Sequence, residues 1–199
     1  MVRSPGSGRR VATPRWRTVR FVERQAWRRW LEANHSKASE VWLVYYKKES
    51  GRRRISYNDA VEEALCFGWI DSTVRSLDSS RFAQRFTPRK RGSPYSQANK
   101  ERLRRLLRER KVARTVREGL SKSDLESADF APDILAALMA DKEAWRNFLA
   151  FSDVYKRIRI AFIEGARSRP REFKKRLRYF LKMTRQNKQF GFGGISAYY

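Results

Sequence analysis

The chain of 199 residues has one cysteine, one histidine and three methionines. Cys66 alone allows neither an internal disulfide nor a CxxC metal site. With a single imidazole, a metal centre would have to be built from carboxylates, and none falls at convincing ligand spacing. No metal and no cofactor is therefore expected. One thiol fits a reducing compartment, and a cytoplasmic location is expected. No apolar run approaches the roughly 20 residues that a membrane-spanning helix needs, so no membrane span is expected. The N-terminal stretch MVRSPGSGRRVATPRWRTVR has no apolar segment and does not read as a secretory signal. Acids are scarce: 21 Asp and Glu stand against 46 Lys and Arg, a net charge of +25. Such a field attracts polyanions and repels cationic ligands. The basic residues fall on nearly every element, so a generally solvated basic surface is the plain account and a functional stripe the sharper one. Phosphate-binding loops are missing too. GFGG at Gly191–Gly194 has no strand before it, no helix after it and no GK[ST].

What is present is globular. Apolar residues make up 41%, and twelve Phe, eight Tyr and six Trp offer large areas to bury. Residues 1–17, rich in Pro, Gly, Ser and Arg, read as a disordered basic tail, with a short strand possible over Arg17–Phe21. Trp27, Trp30 and Leu31 at helical spacing predict a helix over Glu23–Asn34, with His35 at its C-terminal end. Glu40–Lys48 alternates apolar residues on both faces and predicts a central strand covered on both sides. Ser56 and Asp59 form a capping-box pattern ahead of Val61, Ala64, Leu65 and Gly68 on one helical face. Beyond Trp69 the period becomes two, and Asp78-Ser79-Ser80 predicts the tight turn of a β-hairpin. Ser96–Arg110 and Ala113–Leu120 read as helices closing an α+β domain over residues 18–122. A C-terminal helical domain follows over 123–186, its helices starting at Pro132, Lys142, Asp153 and after Pro170. A Gly/aromatic tail takes 187–199. The fold class is α+β: a small antiparallel sheet, made of a central strand and a hairpin, packed by helices and followed by a helical unit.

Three chemistries are open. Cys66 with His35 is the minimum for thiol nucleophilic catalysis. The plainer account makes Cys66 a small buried apolar residue, and no third orienting group accompanies the pair. Glu63 and Asp71 could act as paired carboxylates, or Asp71 could be tied structurally by Arg85 or Arg89. Glu62 falls near the same helical stripe as Cys66 and Trp69. Glu63, Cys66, Trp69, Asp71, Arg85 and Arg89 form the candidate functional cluster, with no catalytic residue assigned. For nucleic acid, Arg52, Arg53, Arg54, Arg81, Arg104 and Arg108 are the candidate phosphate contacts. Phe82 and Phe86 would stack bases if exposed, and are core residues otherwise.

EALCFGWID (Glu63–Asp71), QRFTPRK (Gln84–Lys90) and Ser96-x-x-Asn99 resemble the N-terminal part of the YdeI/OmpD-associated, or bacteriocin-protection, family. WLEANH (Trp30–His35) and EVWLVYYKK lie upstream in the same order, and the helical block from Pro132 to Arg185 is similar to the family's C-terminal region. The resemblance covers roughly residues 19–186. Where family members commonly carry a threonine, this chain has Arg171-Glu172-Phe173. The resemblance implies a non-enzymatic binding or stress-protection protein, protecting indirectly against antimicrobial peptides. A sequence-nonspecific nucleic-acid binder is the alternative, and an enzyme with a site around Cys66 and Asp71 a second one. The expected partner is a polyanion such as nucleic acid, or a protein.

Overall fold

In the structure, a computed structural model that describes residues 16–90, 92–127 and 129–191, the chain divides into two units, Met1–Arg91 and Gly92–Tyr199. The first begins with β1 (Thr18–Val19), α1 (Arg24–Asn34) and β2 (Val41–Tyr46), continues through α2 (Tyr57–Cys66), and closes with the hairpin β3 (Trp69–Ser76) and β4 (Arg81–Pro88). The strand order is β1-β2-β4-β3. β2 pairs with β4 antiparallel from Val41↔Phe86 to Tyr46↔Arg81. β1 runs parallel to β2, so the sheet is mixed where a purely antiparallel one was expected.

Five of the six residues of β2 are buried, as double-sided apolar alternation requires. On one face Trp27 of α1 meets Phe86 at 5.5 Å. Phe86 is fully buried, a burial worth about 1.5–3 kcal/mol. On the other face Trp42, Val44 and Ala83 form a smaller cluster capped by Trp16 and Leu77. Trp16 stacks on Trp42 at 4.6 Å, and the Trp42 amide donates to the Arg17 carbonyl. The tail expected over 1–17 therefore ends sooner, because a stacked indole holds its last two residues to the sheet. The rest of that tail, 1–15, lies outside the described residues, as does 192–199 of the C-terminal one.

The Ser56 hydroxyl caps α2, accepting from the Asp59 amide at 3.0 Å and donating to the Asp59 carboxylate at 2.7 Å. Gly68, at φ +71°, ends that helix in the left-handed region and turns the chain into β3. At the hairpin turn the Asp78 carboxylate accepts from the amides of Ser80 and Arg81, at 2.8 and 2.7 Å.

The second unit is helical: α3 (Gln97–Arg108), α4 (Arg114–Glu118), α5 (Pro132–Met139), α6 (Lys142–Ala150), α7 (Asp153–Glu164) and α8 (Pro170–Arg185). Its core gathers Ile134, Leu138, Phe148, Tyr155, Ile160, Ile163 and Phe180. Side-chain caps from Ser96, Asp141 and Ser152 start α3, α6 and α7. By packing, α3 belongs with the helical unit: its Glu101 is held by Arg157 of α7 at 2.6 Å. Phe190 of the C-terminal tail packs on Tyr179 and Phe180.

Candidate functional site

The candidate cluster comes from two adjoining turns of α2 and from the sheet. On α2, Glu62 and Glu63 are 1% and 2% exposed. A buried carboxylate is costly unless it is paired, and α1 supplies the partners. Arg24 reaches Asp59, Glu62 and Glu63 at 2.7, 3.0 and 2.5 Å, and Arg28 adds a 2.8 Å bond to Glu63. Burial opposes the charge on Arg24, but the hydrogen bond and charge of Glu63, then Glu62 and Asp59, outweigh it and raise the pKa. Glu63 is an ion-pair anchor between two helices, not one half of a carboxylate pair with Asp71. The fork geometry of arginine suits that post.

Cys66 is fully buried. Burial pushes its thiol up to about 11, with Glu63 adding to the effect and Arg28 opposing it. A nucleophilic cysteine needs the opposite shift. The His35 ring bonds the Leu31 carbonyl through Nδ1 at 2.9 Å and lies against Phe67 at 5.2 Å, serving the end of α1. Trp69 is 1% exposed, its indole N–H donating to the His35 carbonyl at 3.1 Å. Asp71 accepts from the Tyr57 hydroxyl at 2.9 Å and the Gln84 amide at 2.7 Å. Of the two arginines expected to tie Asp71, Arg85 or Arg89, Arg85 does not: it sits on the opposite face of β4 and pairs with Glu40 at 2.8 Å. Glu63, Cys66 and Trp69 are thus brought together, but as packing and ion pairing. Arg85 is turned away from them.

The candidate phosphate contacts fare unequally. Arg52 lies over the Tyr46 ring at 4.9 Å, and Arg53 pairs with Glu23 at 2.7 Å. Arg54 donates to the Tyr46 carbonyl at 2.9 Å, and Arg81 pairs with Asp78 at 2.7 Å. That pair, followed by the Ser80 amide, lowers the Asp78 pKa to about 2. Arg104 bonds Glu101, Ser127 and the Leu125 carbonyl. Arg108 is exposed. Phe86 is core, and half-buried Phe82 stacks on Tyr45 at 5.1 Å.

Charge left over collects elsewhere. The first unit carries 21 basic residues against 9 acidic ones and the second 25 against 12, so neither unit monopolises the field. Within the second, Arg171, Lys174, Arg178 and Lys182 follow one another at helical spacing along the exposed face of α8. No carboxylate pairs with any of these four among the described residues. The lone acid of α8, Glu172, is taken by Arg176 at 2.9 Å. By contrast α3 spends Arg104 and Arg105 on Glu101 and Glu109. The α8 stripe is visible in the sequence as a periodic basic face; what the sequence hides is that the basic residues of other elements are mostly engaged.

Among the described residues no three His, Cys, Asp or Glu gather as metal ligands, and no helix is long and apolar enough to cross a membrane. No curated protein and no solved structure matches the chain. Residues 127–187 match the family described as bacteriocin-protection, YdeI or OmpD-associated. The motifs Glu63–Asp71 and Gln84–Lys90 lie outside that match, in residues 19–119, which match a domain of unknown function, DUF8412. The chain belongs to the DUF8412 family, and behind that domain lies a segment that matches the bacteriocin-protection, YdeI or OmpD-associated family.

Proposed function

We propose that the protein is a non-enzymatic binding protein of the protective kind that the description of its C-terminal family names, and that it works in the cytoplasm. Its working surface is the unpaired cationic stripe of α8. The observation that carries this reading is that Arg171, Lys174, Arg178 and Lys182 face solvent without carboxylate partners, inside the segment that matches the protection family. Burial and pairing of Glu63, Cys66 and Trp69 weigh against an enzyme.

The charge also limits how protection works. A protein of +25 repels cationic peptides over a Debye length of about 8 Å at physiological salt. Direct capture of such peptides is disfavoured. Occupying the anionic sites that they seek is favoured, which makes the protection indirect. The test is survival under a cationic antimicrobial peptide. Deleting the gene should sensitise cells, and complementation by a chain carrying Arg171→Gln, Lys174→Gln, Arg178→Gln and Lys182→Gln should fail where the unaltered chain succeeds. Unchanged survival after deletion discards the reading.

The same stripe favours a second reading, sequence-nonspecific nucleic-acid binding. Gel-shift titration across salt decides it: affinity should fall with a log–log slope of about −0.9 per phosphate neutralised. No binding at low salt removes it.

A further inference from the structure

Arg159 is a buried charge of the second unit that no ion pair among the described residues explains. It lies on the inward side of α7, one turn after Tyr155 and one before Ile163, and is 3% exposed. Its Nε–H finds no acceptor, and no carboxylate pairs with it among the described residues. Its guanidinium lies within 5.3–5.8 Å of the ring centres of Tyr155, Phe162 and Phe190. Aromatic faces ease a buried cation but leave its N–H donors unused. Such a group calls for an oxyanion.

Space for one is present. Two cavities, of about 120 and 440 Å³, share Arg159, Phe162 and Arg176 as walls. The smaller is closed by Tyr179, Phe180 and Phe190, an apolar surround. The larger is bounded by Ser96, Gln97 and Ala98, the cap and first residues of α3. The first-turn amides of a twelve-residue helix and its dipole favour an anion there. The single carboxylate lining either cavity, Glu172, is already bonded to Arg176, so nothing acidic competes for Arg159.

We propose that these two cavities, which share Arg159, Phe162 and Arg176, together form a binding site for a small organic anion, an apolar or aromatic body ending in a carboxylate, with Arg159 receiving the oxygens and Phe162 and Phe190 enclosing the body. The site is separate from the α8 stripe: Arg159 is internal, whereas Arg171, Lys174, Arg178 and Lys182 are exposed.

Calorimetric titration of the full chain tests it with three probes: 4-phenylbutyrate, its uncharged counterpart 4-phenylbutanol, and inorganic phosphate. Phenylbutyrate should bind saturably at one per chain. The alcohol, which lacks the charge, and phosphate, which lacks the body, should each bind at least tenfold more weakly. Arg159→Met keeps the bulk and removes the donors, and should weaken phenylbutyrate at least tenfold while leaving the alcohol unchanged. Should that variant fail to fold, the Arg159 Nε–H resonance of the unaltered chain should still shift on titration with phenylbutyrate. Absence of saturable binding overturns the proposal. So does an alcohol or phosphate that binds as well as the acid, or an unmoved Arg159 resonance.

Discussion

Arg24→Met is the sharpest test of how the first unit is held together. The substitution keeps most of the aliphatic stem and removes the guanidinium that reaches Asp59, Glu62 and Glu63. Glu62 and Glu63 are almost wholly buried, so their charges lose a partner that water cannot replace. Removing one partner of a buried pair costs about 3–5 kcal/mol. The lower end applies, because Arg24 is itself 28% exposed and Arg28 still holds Glu63. About 3 kcal/mol should move a urea midpoint by roughly 1–3 M at ordinary slopes. Five of the six tryptophans, Trp16, Trp27, Trp30, Trp42 and Trp69, lie in this unit, so intrinsic fluorescence follows its unfolding.

Charge, and not lost packing, should account for the cost. In the variant the two buried carboxylates lose the guanidinium that offsets their burial, and of the two arginines only Arg28 remains beside Glu63. Adding Glu63→Gln to Arg24→Met should recover part of the loss at neutral pH. A penalty under about 1 kcal/mol, or a double variant no more stable than Arg24→Met alone, refutes the electrostatic account.

Further outcomes follow from single contacts. Cys66, buried with its thiol pushed up to about 11, should resist a thiol reagent at neutral pH until the chain is unfolded; prompt native labelling would contradict its sealed position. For Glu101, burial raises the pKa but bonds from Arg157, Arg104 and Gln97 outweigh it and lower it from 4.5. Its stabilisation is therefore complete above that value and lost as pH falls through the depressed one. Glu101→Gln should flatten the acid limb of a thermal-midpoint profile, and an unchanged limb would deny the linkage. Trp16→Ala removes a ring stacked on Trp42 and should cost about 1 kcal/mol beyond the lost area, read by denaturant melts.

How much of this was legible in the sequence depends on whether a residue's role is local. The cap at Ser56, the Asp78 turn and the two-sided apolar alternation of β2 are decided within a few residues, and each stands in the fold as its pattern implies. Pairings across long separations are another matter. Asp71 looked suited to Arg85 or Arg89, yet strand alternation puts Arg85 on the face of Trp42 and Gln84 on that of Asp71. The period of two that placed Phe82, Gln84 and Phe86 together already contained that answer. Arg24 and Glu63 are 39 positions apart, and nothing local in either announces the other. The packing of α3 on α7 was hidden for the same reason, since the Glu101–Arg157 bond spans 56 positions. Arg159 lies between these cases. On the helical wheel of α7 it falls on the stripe of Tyr155 and Ile163, and a cation on an apolar stripe needs a partner or a ligand. In this chain the surplus of arginine masks that signal: among 46 basic residues, the informative one is distinguished by the direction in which its helix turns it, not by its charge.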